Sequence, residues 1–320
     1  MAQLIEQPIF VVGSPRSGTT LLRFILSSHP RIVIPDETGF IPFLGKDADE
    51  ILTEAEAQGV LHRIGDLNRA WRDLVVDTSA FYAGLAEPRL TFLLDALYRL
   101  KAEPHGAARW GDKTPGYVRF IPALNRIFPT AQFIHVVRDG RDVTLSAKNK
   151  WGATRAYMDS YYLLRNWVRN VETGRAAGQL LGPDRYLEVH YESLVESPGP
   201  VAQKLCQFLG ETFHPAMLDH TRESRKSTGK TTHVEVLQPI SSASVQRWRN
   251  EMAPFDQKMA EQVAGETLEA FGYPVAPLDP LTASERARLS ALAGKYLVSD
   301  TTQRMLYKMG ILTLNRGKRS

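Results

Sequence analysis

Cysteine is nearly absent: Cys206 is the only one in 320 residues. That excludes an internal disulfide and any zinc site built from several thiolates, and it fits a reducing compartment. No window approaches the roughly 18 consecutive apolar residues of a membrane span. Met1–Gln7 lacks the basic stretch, apolar stretch and small-residue cleavage site of a secretory leader, so a cytoplasmic chain is expected. Neither sign of charge dominates, with 39 Lys and Arg against 35 Asp and Glu and a net charge of +4. So slight an excess suits an anionic ligand and falls far short of a nucleic-acid-binding surface. His29, His135 and His190 lack metal-site spacing, so no metal is expected. Repeats and low-complexity segments are also missing.

What is present is an alternation of strands and helices. Apolar runs at Ile9–Val12, Phe133–Val137 and Tyr186–His190 read as buried strands. Helices are expected around Leu21–Leu26, Asp47–Ile64, Phe81–Leu100 (with a turn at Glu87-Pro88), Tyr117–Phe128, from Arg141, Tyr157–Gly178, Val201–Leu209 and Asp256–Phe271. Residues Glu223–Gln238 read as a long polar loop. The pattern argues for a three-layer α/β fold with a central parallel sheet flanked by helices. We divide the chain into a domain over residues 1–275 and a helical C-terminal extension over 276–320, which ends in the basic tail Arg316–Ser320.

Gly13-Ser14-Pro15-Arg16-Ser17-Gly18-Thr19-Thr20 follows the first strand and opens the first helix. Four residues separate the glycines, the spacing of a phosphate-binding Walker A loop. Backbone N–H groups in such a loop converge on phosphate oxygens, and the helix N-terminus adds positive potential. Thr19 stands where a nucleoside triphosphatase carries its lysine, and the cation lies inside the loop, at Arg16. That arrangement suits an anionic group that ends one position earlier, as a phosphosulfate does. A second anion site is expected after Phe133–Val137, where Arg138 ends a strand and Ser146 lies in the following helix; pairing of Arg138 with Asp139 or Asp142 is the alternative. Lys150 reads equally as a further cation for that site or as a solvated side chain.

The loop Pro15-Arg16-Ser17-Gly18-Thr19-Thr20 resembles the 5′-phosphosulfate loop of the sulfotransferase family. The resemblance implies that Arg16, Ser17, Gly18, Thr19 and Thr20 hold the phosphosulfate of 3′-phosphoadenosine 5′-phosphosulfate (PAPS), and that Arg138 and Ser146 hold its 3′-phosphate. Tyr191, in Glu188–Leu194, would contact the adenine side. Sulfuryl transfer needs a base for the acceptor hydroxyl and a cation for the leaving oxygen. By residue chemistry alone, Glu37 is either that base or a helix-capping acid, and Lys113 is either that cation or a surface lysine beside Thr114-Pro115.

Asp36-Glu37-Thr38 and Asp112-Lys113-Thr114-Pro115 resemble segments of the tyrosylprotein and heparan sulfate 3-O-sulfotransferases, which implies Glu37 as the base and Lys113 as the leaving-group cation. The resemblance puts the base at the residue before Thr38, which selects Glu37 over Asp36; the two adjacent acids point to different sides of the chain and do not share a proton. Gln238 stands where the tyrosylprotein enzymes carry a cofactor-contacting lysine, which leaves Lys226 or Lys230 as substitutes. The expected partners are a nucleotide donor, released as 3′-phosphoadenosine 5′-phosphate (PAP), and a hydroxyl acceptor on a small molecule, lipid, glycan or tyrosine. The alternative is a P-loop kinase or a nucleotide-binding protein of another type.

Overall fold

The protein is described by a computed structural model covering residues 7–152, 158–226, 237–275 and 278–309. Five parallel strands, β1 (Ile9–Gly13), β2 (Ile32–Val33), β3 (Arg109–Lys113), β4 (Gln132–Val137) and β5 (Tyr186–His190), form one sheet in the order β2-β3-β1-β4-β5. Alternate residues of β1 feed opposite faces. Phe10 and Val12 join a core with Leu93, Leu97, Trp110 and Phe133, while Ile9 and Val11 pack with Leu22, Ile25, Ile134 and Leu205. The helix after β1, α1 (Thr19–Ser27), covers the second face.

The expected fold class holds, and several elements are corrected. Two strands were not expected: β2 is only two residues long, and β3 lacks an apolar signature. Buried β3 reads Arg-Trp-Gly-Asp-Lys, and each of its polar side chains finds at least one partner inside. Arg109 donates to the carbonyls of Gln7 and Leu209 at 2.6 and 2.7 Å, and Trp110 Nε1 donates to Asp95 at 2.7 Å. Gly111 is required by close approach, since a Cβ there would lie 2.7 Å from the Ile9 carbonyl oxygen.

The helix expected from Asp47 starts later, as α2 (Glu54–Leu67), because a capping box between Thr53 and Glu56 fixes its first turn. Two helices, α3 (Thr78–Ala83) and α4 (Leu90–Ala102), flank the Glu87-Pro88 turn. Residues Pro115–Phe120 form a 3₁₀ turn before α5 (Ile121–Ile127).

The remaining helices are α6 (Gly140–Trp151), α7 (Ser160–Leu181), α8 (Tyr191–Glu196), α9 (Pro198–Leu209), α10 (Thr221–Lys226), α11 (Trp248–Glu251), α12 (Pro254–Ala270) and α13 (Ala283–Lys308). The start of the expected polar loop is thus helical at Thr221–Lys226; residues 227–236, Tyr157 and the tail Arg316–Ser320 lie outside the described residues. Among the described residues no helix is long and apolar enough to cross a membrane.

Candidate active site

The site forms where the sheet changes direction. The chain leaves β1 for β2 on one side and leaves β4 for β5 on the other, so a crevice opens at the carboxyl ends of β1 and β4. Register pairs Val11 with Lys113 and Gly13 with Val136, which brings the β1–α1 loop, Lys113 and Arg138 to one edge of the sheet.

Within the loop, Ser17 N–H donates to the Ser14 carbonyl at 3.2 Å, and Asn170 Nδ2 donates to Ser14 Oγ at 3.2 Å. Gly18 has φ +94°, and a Cβ there would sit 2.3 Å from a ring carbon of Tyr191. Only glycine allows that contact. Arg16 also lies in the left-handed region, at φ +73°. Its carbonyl accepts from Arg138 Nη1 at 3.1 Å, and its Nε donates to Ser146 Oγ at 3.1 Å. Arg138 and Ser146 therefore grip the same loop residue. Arg138 is buried, donates through Nη2 to the Ser244 carbonyl at 2.6 Å, and its guanidinium lies 4.5 Å over the Tyr191 ring. Ser17 Oγ and Arg138 Nε are buried with no hydrogen-bond partner among the described residues.

Lys113, 3% exposed at the end of β3, donates to Glu37 Oε1 at 2.6 Å and to Thr20 Oγ1 at 3.3 Å. Asp36 turns away and pairs with Arg23. Glu37 opens no helix; residues 34–40 have no regular secondary structure. Behind it lies a buried polar web. Thr38 Oγ1 donates to Asp112, which also accepts from Tyr98, and Tyr117 OH lies 2.8 Å from Thr38 Oγ1. Burial pushes the Asp112 carboxyl above its ordinary range, opposed by those hydroxyl donors.

Sequence reasoning missed this web and the Ser14–Asn170–Arg119 chain, in which Arg119 Nε donates to Asn170 at 2.6 Å. A signal existed for Asn170, a polar residue in the apolar stripe that holds Trp167 and Val171. Also missed was the docking of the Ser241–Trp248 segment on Asp142, which accepts from the Gln246 and Trp248 N–H groups at 2.7 and 2.9 Å. Gln238 and Lys150 are exposed, whereas Lys230 and the Lys226 side chain lie outside the described residues. His29 Nε2 contacts the Thr212 carbonyl and His135 Nδ1 the Tyr186 hydroxyl, both at protein hydrogen-bond distance. Among the described residues no cluster of His, Cys, Asp and Glu could hold a metal ion.

The sequence profile described as "Sulfotransferase family" matches residues 8–215. Protein-tyrosine sulfotransferase 1 of Danio rerio is 28% identical over 276 residues, which cover 83% of this chain and 72% of that protein. The protein-tyrosine sulfotransferase of Drosophila melanogaster is 27% identical over 252 residues, 76% of this chain but 47% of the fly protein. The solved sulfotransferase domain of the Synechococcus PCC 7002 olefin synthase superposes with a TM-score of 0.60 at 28% identity, covering 85% of this chain and 97% of that one.

Proposed function

Because the chain belongs to the sulfotransferase family, we propose that it takes the sulfuryl group from PAPS and places it on an acceptor hydroxyl, with Glu37 as the base. The observation that carries this reading is the position of Lys113, whose ammonium touches both Glu37 and the phosphate-loop Thr20. A proton acceptor and a cation thereby stand side by side at the mouth of an anion-binding loop. The donor fits the residues present: the buried donors Ser17 Oγ and Arg138 Nε have no partner among the described residues and suit its two anionic ends. When bound, the donor supplies a sulfur electrophile with a phosphate leaving group.

Arg16, Ser17, Gly18, Thr19 and Thr20 would hold the phosphosulfate, Arg138 and Ser146 the 3′-phosphate, and Tyr191 the adenine side. Glu37 would take the acceptor's proton as the acceptor oxygen bonds to sulfur. Lys113 and Arg16 would neutralise the charge left on the bridging oxygen as its bond to sulfur breaks. The products are the sulfate ester, PAP and the proton on Glu37. The acceptor class we favour is a small molecule, lipid or glycan in the cytoplasm; a chain whose only cysteine, Cys206, is buried suits a reducing compartment. Kinase chemistry is disfavoured by Thr19 at the Walker lysine position.

The test is transfer of labelled sulfate from PAPS to a panel holding a phenol, a tyrosyl peptide, a primary alcohol and a glycan. Glu37→Gln should lower the rate by about 100-fold or more while calorimetric PAP affinity persists. A wild-type rate in that variant overturns Glu37 as the base.

A further inference from the structure

Nothing in the backbone ladder fixes Glu37, since residues 34–40 lie between β2 and the short turn Ile41–Phe43 without regular structure. Side chains fix it instead. Thr38 is fully buried, as are Tyr98 and Tyr117, and Asp112 is 1% exposed. The single Thr38 hydroxyl proton goes to Asp112 Oδ2, so the Tyr117 hydroxyl donates to Thr38 at 2.8 Å while accepting from Ile41 N–H at 3.0 Å. The Thr38 amide donates to Thr114 Oγ1 at 3.2 Å, and Asn68 Nδ2 donates to the carbonyls of Glu37 and Thr38 at 3.0 and 3.2 Å.

Neighbouring residues of an extended chain point to opposite sides. Two adjacent pairs therefore meet, Thr38 with Asp112 on one side and Glu37 with Lys113 on the other. The strand that presents the lysine also grips the residue after the glutamate.

Building on the reading of Glu37 as the base, we infer that the Thr38 hydroxyl, anchored by Asp112 and Tyr117, is the positioning group that sets the Glu37 carboxylate on Lys113. Thr38 touches no reacting atom. Its hydroxyl holds the backbone from which Glu37 extends, so its loss frees the carboxylate to drift while the anion sites stay in place. Displacement of a reacting group by about 1 Å can cost about 100-fold in rate.

The experiment measures sulfate release from labelled PAPS in a single turnover, with water as acceptor, beside calorimetric PAP binding. Thr38→Val keeps the shape and removes the hydroxyl; the rate should fall by about 10- to 100-fold with PAP affinity unchanged. Thr38→Ser restores the hydroxyl and should keep most of the rate. In a Glu37→Gln background, Thr38→Val should slow release no further, because both changes act through one carboxylate. An equal fall in both backgrounds, or equal losses in the Ser and Val variants, overturns the inference. If Glu37→Gln is slow but Thr38→Val is fast, the inference alone fails; if Glu37→Gln itself keeps the wild-type rate, the base assignment fails and takes the inference with it. Should Thr38→Val not fold, Tyr117→Phe carries the same test, since it deletes only the oxygen that donates to Thr38.

Discussion

At the scale of single residues, this protein is governed by polar side chains that the fold has taken out of water. Each must be matched inside, since an unpaired buried polar group costs more than a hydrogen bond contributes. Asp112 is matched by Thr38 and Tyr98, Lys113 by Glu37 and Thr20, and the Arg138 Nη groups by backbone carbonyls, and those matches build the site. His135 has a different role. It is fully buried beside Tyr186, and burial lowers its pKa to about 4. Glu188, Arg175 and His190 face it, and of these Glu188 opposes the shift.

The ring is neutral in the folded state, while in the unfolded chain it protonates near its ordinary value of 6.5. Between those two values the unfolded chain binds more protons, so stability is complete above the upper value and is lost as pH falls toward the lower one. The contribution lost is about 3 kcal/mol. Urea titrations of wild type and His135→Gln at several pH values should show a steeper acid-side loss in the wild type. Parallel curves would remove His135 as the cause.

At the scale of elements, the β1–α1 loop is tightly constrained. Arg16 and Gly18 both have positive φ, and the Tyr191 ring from α8 lies where a Gly18 side chain would start. Gly18→Ala should therefore carry two separate costs, a left-handed alanine of about 1 kcal/mol and a steric conflict with Tyr191. PAP affinity should fall at least about tenfold and the melting temperature should drop. Adding Tyr191→Ala should recover part of the melting temperature by clearing the ring, but not the backbone term. No recovery in the double variant would show that the contact is unimportant.

The glycine pair and the apolar run before it were legible in the sequence, because phosphate loops require both. Strand β3 was not, because its burial is satisfied by partners distant in sequence, such as Asp95, Gln132 and Thr38. Helix α8 escaped notice for a similar reason: its six residues are too short for a period to show.

At the scale of the whole molecule, the parallel sheet is enclosed by helices on both faces, and a third cluster ties α6, α7 and α12 together through Val143, Trp167, Val171, Phe255 and Met259. Helix α13 is held to α7 by side chains rather than by sheet pairing. Tyr296 is buried against Tyr161 and Tyr162 with ring centroids 5.8 Å away, and Arg169 pairs with Asp300 at 2.7 Å. Removing the Tyr296 ring should cost about 3 kcal/mol through a cavity and lost aromatic contacts. Equilibrium unfolding of Tyr296→Ala in urea measures this. A second transition for α13, separate from that of the sheet, would instead mark it as an independent unit.

The alternation of strands and helices, the anion-binding loop and the pair of acids at Asp36 and Glu37 were legible in residue order alone, because each depends on neighbours within a few residues. Periodicity, glycine spacing and side-chain chemistry are local quantities. That Asp36 faces Arg23 while Glu37 faces Lys113, and that Arg138 and Ser146 meet on Arg16, emerges only from the folded chain. Those pairings join residues up to 130 positions apart. They follow from strand order and register, which set distant side chains at one edge of the sheet and carry no local signature.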